Sequence, residues 1–98
     1  MFLVLRLRSG PDYDHRRPLE EQSGWDEHAA FMDRLVDEGV IVLGGPLADE
    51  YRVALVVDGD DEDAVNATLD RDPWTGSHLV TDAVEPWTIR LDGRRAHR

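Results

Sequence analysis

The sequence has no cysteine and no lysine. Without cysteine there is no disulfide, no thiolate metal site and no cysteine nucleophile. All eleven basic residues are therefore arginine, and Asp outnumbers Glu by fourteen to seven. A GC-rich coding bias accounts for that balance most simply. Long apolar runs are missing as well. The start, Met-Phe-Leu-Val-Leu-Arg-Leu-Arg, is too short and too soon charged for a leader, and no run approaches the length of a membrane span. The expectation is a cytoplasmic chain with no membrane partner. Excess positive charge is also lacking, and a net charge of −10 argues against nucleic acid, whose phosphates need a basic footprint. The first eighteen residues carry four Arg against two Asp, and residues 89–98 four Arg against one Asp, so the middle of the chain holds all of the acidic excess. Such a surface serves solubility and points to no partner.

What is present fits one domain over residues 1–91, followed by a basic tail, 92–98, expected to fray. The chain is organised around Trp25 to Pro46. Trp25, Ala29, Met32, Leu35 and Val36 share one face at about 100° per residue, and Gly39 ends the helix. Ser23 is the expected N-cap, with Asp26 and Glu27 in the first turn. His28 falls inside the apolar face, away from Glu27 and Arg34. Val40 to Leu43 is a continuous apolar run, expected as a buried strand closed by a Gly44-Gly45-Pro46 turn.

Around this stretch, Phe2 to Arg8 alternates as a strand with apolar residues on both faces. Ser9 to Ser23, with Gly10, Pro11 and Pro18, is a polar loop longer than most connections. Tyr51 to Val57 is the next strand, paired with its predecessor as a hairpin. Glu62 to Arg71 is a second helix, and extending its apolar spacing brings in Asp72, where Pro73 stops it. Leu79 to Val84 forms the last strand, which Trp87, Ile89 and Leu91 resume beyond an edge or bulge at Pro86.

Strand, helix, strand, strand, helix, strand is the α+β order of a ferredoxin-like βαββαβ domain, an antiparallel sheet with two helices on one face. The other face would then expose more contiguous apolar surface than a monomer tolerates. Either a homodimer buries it sheet to sheet, or the long loop and the tail cover it.

The pieces Asp-Glu-His-Ala-Ala-Phe, Gly-Val-Ile-Val-Leu-Gly-Gly-Pro-Leu, Asp-Arg-Asp-Pro-Trp and Val-Glu-Pro-Trp, in this order over residues 2–91, resemble the YciI-like (YCII-related) family. That resemblance implies a dimeric α+β barrel and a pocket with a histidine and an aspartate as an acid–base pair, His28 and Asp72 here. The family includes a dehydrochlorinase, and the wider fold includes an isomerase and cofactor-independent monooxygenases. The chain departs from the pattern at Gly76-Ser77-His78, where the family glycine comes later, and in a shorter segment after the Gly-Pro turn.

Histidine takes and gives protons near neutral pH when unperturbed, and a carboxylate on its second nitrogen fixes the tautomer. His28 and Asp72 are thus the candidate catalytic pair, set against a reading in which they only orient the two helices. Gly45 and Pro46 form either a turn or a close backbone approach to a ligand. Trp74 is either core or a stacking surface for an aromatic substrate. Arg16 and Arg17 either clamp an anionic substrate or form a solvated cluster. No metal and no cofactor is called for. Two functions stay open: a lyase, isomerase or dehydrochlorinase working by proton transfer on a small, aromatic or anionic molecule, and a non-catalytic ligand-binding or accessory module.

Overall fold

The structure, a computed structural model, describes residues 1–94, so the end of the expected tail, with His97, lies outside the described residues. Four strands, β1 (Phe2–Leu7), β2 (Ile41–Pro46), β3 (Arg52–Val57) and β4 (Val80–Pro86), form one antiparallel sheet in the order β2-β3-β1-β4. Helices α1 (Trp25–Asp37) and α2 (Glu62–Leu69) follow β1 and β3. This α+β arrangement is consistent with a ferredoxin-like fold. Among the described residues no helix is long and apolar enough to cross a membrane.

The alternation in β1 decides which residues see the helices. Phe2, Val4 and Arg6 are buried, whereas Leu3, Leu5 and Leu7 are half-buried on the other face. Phe2 and Val4 join Leu55 and Val57 of β3 and Val65 and Leu69 of α2 in one core cluster, with Met32 of α1 packed against it. Arg6 on this face is charged and fully buried, so it needs a buried counter-charge.

Four boundaries differ from the sequence expectations, each for a local reason. Gly44, Gly45 and Pro46 do not form the turn. They extend β2 and pair with Leu55, Ala54 and Val53. β2 is an edge strand, where a proline without an N–H is tolerated, and a Cβ on Gly44 would come within 2.6 Å of the Leu55 side chain. The turn instead falls at Leu47–Glu50, where the Glu50 N–H donates to the Leu47 carbonyl at 2.9 Å. At the start of α1 the N-cap is Gly24, at φ 73°, and not Ser23. Helix α2 ends at Leu69, so Asp72 stands in the following turn and not on the helix. Beyond Pro86 no strand resumes among the described residues; Trp87 donates one hydrogen bond to the Met1 carbonyl, and Trp87 and Leu91 are exposed.

The long polar loop is tied down rather than free. Gln22, buried, accepts from the Asp14 N–H at 2.8 Å and donates to the carbonyls of Asp14 and Arg17 at 2.7 and 3.0 Å. Gly10 and Asp12 donate their N–H groups to the carbonyls of His78 and Ser77. A Cβ on Gly10 would lie 2.4 Å from the Ser77 carbonyl oxygen, which only glycine avoids. The loop is thereby fastened to the turn that carries Asp72, Trp74 and His78.

Glu50 has φ 57°, the left-handed region that costs a non-glycine residue roughly 1–2 kcal/mol. Glu50→Gly is expected to raise stability by up to about 1 kcal/mol, checked by urea unfolding; a loss would show that the Glu50 side chain outweighs its backbone strain.

Candidate functional site

Asp72 is the centre of a buried polar network. Its carboxylate accepts from His28 Nδ1 at 2.8 Å through Oδ1, from Arg6 Nη1 at 2.8 Å through Oδ2, and from the Trp74 backbone N–H at 2.9 Å. Both members of the Arg6–Asp72 ion pair have side chains with no solvent exposure. Arg6 also donates from Nη2 to the Thr75 hydroxyl at 2.6 Å, and that hydroxyl donates to the Leu69 carbonyl. Arg6 Nε is buried without a partner among the described residues. Burial pushes the Asp72 carboxyl up, but the hydrogen bonds from His28, the Trp74 N–H and Arg6 outweigh it and leave it below the ordinary carboxylate value. An ionised Asp72 can only accept, so His28 Nδ1 carries the proton in this bond and Nε2 is the nitrogen left for chemistry.

Three rings stack beside this network. The Trp74 indole lies between the imidazoles of His28, 4.1 Å away between centroids and 5° from parallel, and His78, 4.5 Å away and 10° from parallel. Trp74 Nε1 donates to the Ser23 carbonyl at 2.9 Å, which fixes the indole in its plane. His78 is held at both nitrogens, with Ser77 Oγ 2.9 Å from Nδ1 and Ser23 Oγ 3.0 Å from Nε2. The expected N-cap hydroxyl of Ser23 is thus used to hold this ring.

Burial pushes the His78 imidazole below its ordinary value, with Asp12 and Asp72 opposing and His28 reinforcing the shift. A base weakened by folding stabilises the native state fully above its unfolded value of 6.5, and that contribution is lost as pH falls below it. Asp72, lowered, contributes stability that is complete above 3.8 and lost as pH falls through its native value. Urea unfolding from pH 7 downwards is expected to weaken first below about 6.5 and again below about 3.8. His78→Gln should remove the first step and leave the second.

His28 also lines an open cleft of about 290 Å³ between α1 and the sheet. Trp25, Met32 and Val36 of α1, Leu55 of β3 and Gly44 to Pro46 of β2 form most of its apolar wall, and Arg6 of β1 and Arg8, just past its end, reach it. Gly45 and Pro46 are thus at the cleft, though as strand and not as turn. A Cβ on Gly45 would meet nothing within 4 Å. Trp74 borders the cleft too, but both faces of its indole are occupied by histidines, so it has only an edge to offer a ligand. Arg16 and Arg17 are not among the cleft residues. They are largely exposed and pair with Asp14 in the loop, Arg16 Nε at 3.0 Å and Arg17 Nε at 3.5 Å.

Arg6, Arg8, Thr75 and His78 belong to the site and were not singled out by sequence. The signal for the arginines is their phase: Arg6 in β1 and Arg8 just past its end continue the two-residue steps of buried Phe2 and Val4. The comparisons with known proteins add no identity, since the chain matches no family model and no curated sequence.

Proposed function

We propose that the protein is a cofactor-independent enzyme of lyase or isomerase type, in which His28 moves a proton and Asp72 orients it. The observation that carries this reading is one imidazole with two environments: Nδ1 bound to a buried carboxylate at 2.8 Å, and the same ring lining an open, largely apolar cleft. The proton goes to Nε2 from a carbon next to a carbonyl or from a phenol, and returns to a neighbouring atom or leaves with a departing group. Asp72 keeps Nδ1 protonated and stabilises the imidazolium while it lasts. The resemblance to the YciI-like family supports the same pair in the same roles. A ligand screen against the wild type and His28→Ala tests it: a ligand lost in the variant fits the reading, and one bound equally by both contradicts it.

A second reading has its own support. Asp72 also neutralises Arg6 and caps the Trp74 N–H, so the network holds β1 to the turn after α2 whether or not chemistry occurs. On that reading the domain is a ligand-binding module. A ligand bound by the wild type with no turnover would favour it.

We further infer a homodimer of ferredoxin-like protomers, a dimeric α+β barrel joined through the sheet. Leu3, Leu5 and Leu7 on the face away from the helices are only half-buried, and Leu43 and Val80 are exposed. That apolar face supports a second copy as its cover. Light scattering is expected to give twice the 11.1 kDa chain mass; a monomer at micromolar concentration would contradict it.

A further inference from the structure

We infer that the cleft beside His28 takes a small monocarboxylate with an apolar body, and that Arg8 binds its carboxylate. The inference rests on the reading of this cleft as the working site and adds the class of molecule that enters it.

Two arginines border the cleft, and both are more than nine-tenths buried. Arg6 is matched by Asp72 at 2.8 Å, with neither side chain exposed. Arg8 is matched much less well. Its Nη1 donates to the Glu50 backbone carbonyl at 2.8 Å, and the nearest carboxylate oxygen, Glu50 Oε1, is 3.8 Å away on a side chain 72% exposed. A guanidinium has five N–H donors in a fixed fork that fits a carboxylate through two parallel bonds. A cation withdrawn from water beside so screened a counter-charge has most to gain from an anion brought into the same dry space.

The surroundings of Arg8 are set to hold it. Its guanidinium carbon lies 5.8 Å from the centre of the Tyr13 ring, within cation–π range. The carbonyl that restrains it belongs to Glu50, the one non-glycine residue with positive φ among the described residues. Strain kept at the residue that fixes a buried cation is the kind that clusters at ligand clamps. The acidic residue that borders the cleft, Asp33, is exposed at its rim and offers Arg8 no buried counter-charge.

The rest of the cleft limits the body of the ligand. Its walls are mainly apolar, with Trp25, Met32, Val36 and Leu55 among them. Its volume of about 290 Å³ is that of about ten liquid waters, room for a single ring or a short branched chain. A carboxylate on Arg8 would leave the apolar body within the cleft that His28 also lines.

The test compares phenylacetate with phenylacetamide, and butyrate with butyramide, by Trp fluorescence and amide chemical shifts up to millimolar concentration. Wild type is expected to bind at least one acid about tenfold or more tightly than its amide, the difference of a charge-assisted contact. Arg8→Met, with its fold checked by circular dichroism, is expected to lose that preference while still binding the amide. Equal binding of acid and amide, no binding of any probe, or a preference that survives Arg8→Met would overturn the inference. The wild-type comparison decides even if the variant does not fold. Binding does not depend on turnover: acid preference without proton transfer would defeat the catalytic reading alone, and proton transfer without acid preference would defeat this inference alone.

Discussion

Replacing Asp72 with alanine is expected to cost about 3–5 kcal/mol of unfolding free energy. The carboxylate takes three donors at once, from Arg6, His28 and the Trp74 backbone. Without it the Arg6 cation remains at 0% exposure with no counter-charge, and the Trp74 N–H loses its acceptor. A buried charge stripped of its partner is among the few single changes that reach this size. Since small domains are stable by only about 5–15 kcal/mol, the variant would be near the threshold of folding, with Tm lowered by at least about 12 °C. Removing both charges is a different matter. Arg6→Met with Asp72→Leu is expected to recover the part of the loss that comes from the bare Arg6 charge, while His28 Nδ1 and the Trp74 N–H stay without their acceptor. Urea unfolding of the single and double variants checks both statements. A single variant within about 1 kcal/mol of wild type would mean that the pair is far better solvated than its burial indicates.

His28→Gln carries the other large effect. Glutamine can still donate an N–H towards Asp72, so the fold should survive, but it has no second nitrogen to take a proton. Loss of a positioned general base commonly costs about 10²–10⁴-fold in rate. The variant therefore separates the two readings that the Asp72 network allows. A merely structural His28 predicts unchanged turnover wherever turnover is found, and a catalytic one predicts its collapse at nearly unchanged stability.

Much of this arrangement was legible in the residues. The apolar face of Trp25 to Val36 fixes α1 and turns His28 inward, and the alternation of Phe2 to Leu7 fixes β1. The His28–Asp72 contact followed from two ionisable groups aimed at one core. The ring stack did not, because His78 reaches Trp74 only through a turn whose shape depends on Gly10 closing against Ser77. Gly44 to Pro46 misled for a related reason. Gly-Gly-Pro is a turn signal taken alone, and it becomes a strand here because β2 is an edge and Leu55 needs the space above Gly44. Arg16 and Arg17 looked like the basic clamp because they cluster in sequence. Arg8 is buried at the wall of the cleft because the phase of β1, continued one residue past Leu7, places it there. Periodicity carries information about faces; it carries none about which loop closes on which turn.

The claim at the centre of this account is that His28, held by Asp72, exchanges protons with a molecule in the cleft. Solvent deuterium exchange into a panel of small carbon acids, followed by proton NMR with wild type and His28→Gln side by side, tests it most directly. The account predicts exchange with wild type and a loss of about a hundredfold or more in the variant. Equal exchange with both proteins, or none with wild type for any member of the panel, would contradict it.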